Sequence, residues 1–173
     1  MSRLRRLVLS DRFFFLTTRV LQTRTELGEA DFELLARAFG AARIRHSFLL
    51  TAWVFLPDHW HAILHPSYPP TVSQVMKAVK LSSMLLINRR CRESGELWQG
   101  RFFDHALRTV REYTDTVEYI HLNPVRRGLA TTPQDWRWSS VGEYSGVGAD
   151  EQKQRCGQTV DRVSLPADRK ARI

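Results

Sequence analysis

The sequence predicts an α+β sandwich whose elements run β-α-β-β-α-β, with one further helix behind them. Three observations predict it: short aromatic and β-branched runs suited to strands, two stretches with apolar residues at helical spacing between them, and a Pro-Asp break that folds one run back on the next. Arg12 to Thr18 (Arg-Phe-Phe-Phe-Leu-Thr-Thr) is the first strand. Phe32, Leu35, Ala36 and Phe39 trace the buried stripe of a helix, with Asp31 near its N-terminus. Ser47 to Leu56 is a second apolar run, broken by Pro57-Asp58, and His59 to His65 alternates as the returning strand of a hairpin. From Thr71 a longer helix carries Val72, Val75, Met76, Val79, Ser83 and Leu86 on one face, and Glu93-Ser94-Gly95 ends it. Trp98 to Leu107 is the fourth strand, and Val110 to Asn123 the added C-terminal helix, expected to stop at Pro124. This order is the split β-α-β pattern of a ferredoxin-like sandwich.

A chain of 173 residues is long enough for one domain with a proper core and short for two. We place that domain at residues 10–149, with Trp136 and Trp138 supplying apolar surface to its last stretch, and read 150–173 as a flexible basic tail. No run approaches the ~18 apolar residues that suggest a membrane span. Asp11 and Arg12 interrupt the basic-apolar start too early for a signal peptide. Two cysteines, Cys91 and Cys156, make neither a disulfide framework nor a metal motif. A cytoplasmic location is the expectation.

Lys and Arg number 26 against 18 Asp and Glu, a net charge of +8. A surface of that sign attracts a polyanion, because each neutralised phosphate releases a condensed counterion. The charge is uneven: residues 1–24 carry six arginines against one acid, whereas 25–70 hold three against five acids. Basic balance alone does not establish nucleic-acid binding.

Two constellations carry chemistry. In His59-Trp60-His61, strand geometry turns both imidazoles to one face and Trp60 to the other. Such a pair can hold a divalent cation whose open positions take water or a phosphate oxygen; on the tripeptide alone, two surface histidines are the commoner reading. His65 continues that face and reads as structural or surface. The second constellation is Tyr119 with Asn123, four residues apart on one helical face. The stripe Tyr113, Val117 and Ile120 is that helix's core side, and Tyr119 sits well around from it, so packing does not account for it. A phenol, of ordinary pKa about 10, is a poor nucleophile unless a cation polarises its target. Asn123 offers a carbonyl oxygen as a further ligand. Taken alone, Tyr119 also reads as an interfacial structural tyrosine. His121 lies on another side of the helix and is not enlisted.

Together these blocks resemble the single-tyrosine transposases of the HUH (His-hydrophobe-His) superfamily, and within it the bacterial REP-associated tyrosine transposases. The resemblance rests on Leu56-Pro-Asp-His-Trp-His-Ala-Ile-Leu64, Leu97-Trp-Gln-Gly-Arg-Phe-Phe-Asp-His105, Tyr119-Ile-His-Leu-Asn-Pro-Val-Arg-Arg-Gly-Leu129 and Asp135-Trp-Arg-Trp-Ser-Ser140, four blocks in the family's order. It implies Mg2+ or Mn2+ as cofactor, His59 and His61 as metal ligands, Asn123 as candidate third ligand and Tyr119 as nucleophile. The implied reaction is transesterification on single-stranded, hairpin-forming DNA, leaving a 5′-phosphotyrosyl link and a free 3′-hydroxyl. It also implies a monomer rather than a dimer. Two positions depart from the family's usual pattern: Asp58 stands where Asn is usual, and Trp60 where a smaller aliphatic residue is usual.

On this reading Lys77, Lys80, Arg101, Arg126 and Arg127 are the candidate phosphate contacts, and Arg3, Arg5 and Arg6 an N-terminal arm. A solvated charged face is the bland alternative for each. Two other functions fit the same fold: a non-catalytic binder of DNA hairpins, and a metal-dependent phosphodiesterase in which water attacks.

Overall fold

The computed structural model describes residues 12–144. Four strands, β1 (Phe14–Arg19), β2 (Phe48–Phe55), β3 (His59–Pro66) and β4 (Phe103–Ala106), form one sheet in the order β2-β3-β1-β4, and every neighbouring pair is antiparallel. Helices α1 (Glu29–Arg45) and α2 (Val72–Cys91) connect β1 to β2 and β3 to β4, and α3 (Val110–Arg126) follows β4. This is the expected ferredoxin-like order with the expected extra helix.

Strand alternation sorts the side chains into two cores. Phe14, Leu16, Trp53, Phe55, Trp60, Ala62 and Leu64 face one way and pack with Phe32, Leu35 and Phe39 of α1 and Val75, Met76 and Val79 of α2. Ala52, Val54 and Ile63 face the other way and pack with Tyr113, Val117 and Ile120 of α3. The β2–β3 hairpin turns tightly at Pro57-Asp58, closed by Leu56 N–H donating to the His59 carbonyl (2.9 Å). That turn sets the register in which Val54 lies opposite His61, and the separate docking of β1 on β3 places Thr17 opposite His61 and Arg19 opposite His59.

Several boundaries differ from the sequence reading. The helix expected around Phe32–Phe39 begins at Glu29, where Asp31 in its first turn accepts from the Gly28 N–H (3.0 Å), and runs on to Arg45. β4 is confined to Phe103–Ala106, while Trp98 makes only an isolated bridge to Val20. Between them the Gln99 and Gly100 carbonyls are taken by the Lys80 ammonium (2.6 and 3.1 Å) instead of a ladder partner. On α2 it is Ile87, not Leu86, that reaches the core.

Pro124 does not stop α3, which continues to Arg126. A proline forfeits one helical donor bond and crowds the preceding turn, but this one sits in the last turn, where few bonds remain to be lost. The chain leaves the helix at Gly128, whose positive φ of 69° suits a residue without a Cβ and lets the Leu129 N–H close on the Pro124 carbonyl (2.9 Å).

Beyond α3, a short 3-10 turn (Pro133–Asp135) and α4 (Val141–Tyr144) wrap the edge of β2. Trp138 is buried, and the Trp136 indole N–H donates to the Phe55 carbonyl (2.9 Å). The tail at 150–173 and the arm at Arg3, Arg5 and Arg6 lie outside the described residues, as do the outermost ends of the 10–149 domain. Among the described residues no helix is long and apolar enough to cross a membrane.

Candidate active site

β3 delivers His59 and His61 to the α3 side of the sheet, both nearly buried at 3% exposure. Their Nε2 atoms stand 3.0 Å apart, and the rings meet edge to face. Each outer nitrogen has a partner: His59 Nδ1–H donates to Asp58 Oδ1 (2.6 Å), and His61 Nδ1 lies 2.7 Å from Thr17 Oγ1, its cross-strand neighbour. A carboxylate only accepts, so Asp58 fixes the His59 proton on Nδ1 and leaves Nε2 with its lone pair. The remaining bonds then assign themselves: His61 Nε2–H donates to His59 Nε2, and the Thr17 hydroxyl donates to His61 Nδ1.

Burial pushes the His61 imidazole down to about 3, with the neighbouring His59 and Arg19 charges adding to the effect. Burial also lowers His59, outweighing the opposing pull of Asp58. Both rings are therefore neutral near pH 7. Burial raises the Asp58 carboxyl, but the His59 hydrogen bond and the His59 and Arg127 charges prevail, and its net shift is downward. Arg127 reaches Asp58 Oδ1 at 3.1 Å, and the exposed Arg19 approaches Oδ2 at 3.8 Å.

α3 brings Tyr119 to the same place. Its ring centroid is 5.4 Å from that of His61 and 5.9 Å from that of Phe15, edge-on to both. Phe15 in turn stacks on His61 at 5.3 Å. Tyr119 remains 38% exposed, so the side chain is not sealed into the packing around it. Asn123 lies one turn further along α3 and is buried. Arg126 sits over the Tyr119 ring, 5.5 Å from its centroid.

The sequence-selected residues thus separate into three groups. His59, His61 and Tyr119 come together in one cleft, with Asn123 on the same helix. Arg126 and Arg127 border that cleft, though Arg127 is engaged by Asp58. Arg101 is exposed ahead of β4, while Lys77 and Lys80 lie on α2, against the opposite face of the sheet. Lys80 is occupied by the carbonyls of Gln99 and Gly100. Sequence reasoning left out Thr17, Phe15 and Arg19, which only the cross-strand register brings beside the histidines. His65 packs on Phe13 (4.9 Å between centroids) as a structural ring. His121 is buried on another side of α3, its Nε2 2.9 Å from Ser140 Oγ. The unusual Trp60 is fully buried on the opposite face, against Phe39 and Trp98.

A family model described as "Transposase IS200 like" matches residues 20–123, a span that holds both histidines, Tyr119 and Asn123. The chain belongs to the IS200-like transposase family. Membership gives it a DNA-processing activity of the transposase type. A REP-associated tyrosine transposase of Escherichia coli K12 is 29% identical over 141 residues, 81% of this chain and 82% of that protein. A Haemophilus influenzae relative is 29% identical over 140 residues, covering 74% of this chain and 78% of its own. Among solved structures, a REP-associated tyrosine transposase bound to a REP hairpin matches with a TM-score of 0.73 and 28% identity, over 84% of this chain and 86% of that one. The resemblance read from four sequence blocks and the likeness in fold therefore point to the same branch.

Proposed function

We propose that this IS200-like transposase is a metal-dependent, single-tyrosine DNA strand transferase acting on hairpin-forming DNA. One observation carries the reading: the phenol of Tyr119 and the converging Nε2 atoms of His59 and His61 share one cleft, contributed by separate elements of the fold.

The donor set fits a divalent cation. His59 and His61 would hold it, because their Nε2 atoms already converge to 3.0 Å and neutral imidazole suits divalent metals. Asp58 and Thr17 hold the rings from behind, as outer partners of metal-binding histidines do. Binding needs only that the His61 proton move from Nε2 to Nδ1, with the Thr17 hydroxyl turning from donor to acceptor. No group of three or more His, Cys, Asp or Glu side chains able to hold a metal occurs among the described residues. Asn123, water and a phosphate oxygen would complete the ligand set. When bound, Mg2+ or Mn2+ supplies charge that polarises the scissile phosphate.

The chain's own groups do the rest. Tyr119 Oη attacks phosphorus, the P–O3′ bond breaks, the phenolic proton leaves to solvent, and the departing O3′ takes a proton from solvent. The products are a 5′-phosphotyrosyl link and a free 3′-hydroxyl. Reversal by another 3′-hydroxyl completes transfer and returns the proton to Tyr119. Phe15 and His61 fix the ring, Arg126 over it brings positive charge close to the phosphate, and Arg101 extends that charge along β4. The structural relative bound to a REP hairpin supports a hairpin as the DNA partner.

The test is to incubate labelled single-stranded hairpin DNA, drawn from inverted repeats flanking the gene, with protein and Mg2+ or Mn2+. The expected product is a protein–DNA adduct that survives denaturation and is absent with Tyr119→Phe. Cleavage that persists in Tyr119→Phe without adduct would replace the tyrosine with water as nucleophile. Tight binding without cleavage or adduct across metals would make the protein a hairpin binder.

A further inference from the structure

α3 covers only part of its face of the sheet. Among the described residues its apolar stripe packs over β2 and β3, Phe15 of β1 packs at its margin, and the exposed Phe103 and His105 of β4 lie beyond it. In the β1–β4 register Phe103 lies opposite Thr17, and His105 opposite Phe15. Both alternate to the open side and are exposed, whereas Ala106, turned to the other side, packs against the large core. Phe103 is 58% exposed, a large apolar ring held at the surface. Its inner edge meets Phe15 at 6.0 Å between centroids, and Phe15 is the ring that also touches Tyr119 and His61.

We propose that Phe103, floored by Phe15 and flanked by His105, is a stacking platform for one unpaired nucleobase of the DNA strand whose phosphate reaches Tyr119. The proposal rests on the strand-transferase reading for the identity of that strand, and it adds a place for a base next to the scissile phosphate.

Charge selects the occupant. The four strands contain a single acid, Asp104, and alternation turns it to the opposite face. The open face therefore presents aromatic rings and no strand carboxylate, with Arg101 at the head of β4 and Arg126 over Tyr119. An apolar protein partner has no use for that surround, whereas a nucleotide brings a flat π-face for the rings and a phosphate for the arginines. The geometry also explains why the ring is exposed without being a folding liability. It projects from a short edge strand beside cationic side chains. Stacking of this kind tolerates any base, because every base offers a π-face, so the platform positions the strand without reading its sequence.

The experiment uses the full chain and a short single-stranded oligonucleotide carrying 2-aminopurine, whose fluorescence falls on stacking, moved one position at a time from the cleavage site. Wild type should quench the probe strongly at one position near that site. Phe103→Trp should keep the quench. Phe103→Leu, which stays apolar and at an exposed position keeps the fold by circular dichroism, should lose it and bind roughly tenfold more weakly. With an abasic residue at the same position, wild type and Phe103→Leu should bind equally. Quenching and affinity unchanged in Phe103→Leu, or an equal weakening of the abasic probe, would overturn the platform. Adduct formation at saturating DNA keeps the two readings apart. An adduct with no Phe103 effect removes the platform alone. A Phe103-dependent quench without any adduct supports the platform and removes the strand-transferase reading.

Discussion

Along β3, Trp60, Ala62 and Leu64 turn toward α1 and α2 while His59, His61 and Ile63 turn toward α3, and the two sides of this one strand differ in what covers them. Two long helices roof the first side completely, and its strand residues are nearly all apolar. A single helix roofs the second, and its polar groups gather where cover runs out, His61 at 3% exposure and Tyr119 at 38%, with the apolar Phe103 at 58% on β4. A histidine pair kept dry and neutral beside an open cleft needs that boundary. Full cover would exclude any ligand, and none would leave the imidazoles protonating near neutral pH. The exposed strip beside the histidines is thus a consequence of one helix, rather than two, packing on this face.

The sharpest way to break this comparison is Tyr119→Phe. The ring is retained, so the packing with Phe15 and His61 persists and thermal stability should change by less than about 1 kcal/mol. The DNA adduct, read on a denaturing gel, should vanish. Loss of adduct together with a large drop in stability would mean the phenol is a structural group.

The two neighbours on β3 should fail differently. His61→Ala should weaken Mn2+ binding by more than about a hundredfold, beyond the ~10–100-fold typical of outer-sphere changes. Trp60→Ala should instead cost about 3–5 kcal/mol of stability and leave metal affinity of the folded fraction nearly intact. Trp60→Phe sharpens the contrast. The buried Trp60 Nε1 has no hydrogen-bond partner among the described residues. Losing that orphan donor therefore offsets part of the lost volume, and the cost should stay within about 1–2 kcal/mol. Isothermal titration and denaturant melts separate the two axes, and a stability loss at His61 equal to that at Trp60 would erase the distinction between the faces.

Acid should reveal the α3 side as well. Burial lowers His61 to about 3 and His121 to about 4. A histidine depressed in the folded state binds its proton more readily once unfolded. Its stabilising share is therefore full above the unfolded pKa of about 6.5 and is lost as pH falls toward the folded value. The melting temperature should hold from pH 8 to about 6.5 and decline steadily toward pH 4. His121→Gln should flatten the decline while leaving Mn2+ binding unchanged, since that ring serves Ser140 and the 139–144 segment, away from the cleft. A melting temperature that rose on acidification would contradict the neutral assignment of both rings.

Much of this arrangement was legible in the sequence for a physical reason: strand and helix periodicities are local. They fix which way His59, Trp60 and His61 point and show that Tyr119 lies off the Tyr113-Val117-Ile120 stripe. What stayed hidden depends on pairing between distant segments. Thr17 becomes the His61 partner, and Phe15 the floor under Tyr119, only once β1 is docked on β3 in a register that no local pattern states. Helix ends misled for a related reason. Pro124 opposes helix locally, yet α3 is held by its packed face and passes through it to Arg126. Lys80 shows the reverse: off the apolar stripe it reads as a phosphate contact, but the fold brings two backbone carbonyls to its ammonium.

Asp58 supplies the finest division between the faces, because it decides whether His59 is aimed or merely present. Its carboxylate faces Nδ1, behind the ring, and Arg127 and Arg19 offset its charge. On the proposed reading it orients His59 Nε2 toward a cation without adding a carboxylate beside it. Asp58→Ala should lower Mn2+ affinity about 10–100-fold. Asp58→Asn keeps a carbonyl that accepts the same Nδ1 proton. It exchanges a charged acceptor for a neutral one, worth about 1 kcal/mol, so the loss should be about fivefold. Arg127→Ala should follow Asp58→Asn in metal affinity if its guanidinium serves Asp58. If it lowers DNA affinity with Mn2+ binding intact, Arg127 belongs to the phosphate backbone, and the Asp58–Arg127 bond is one that DNA replaces.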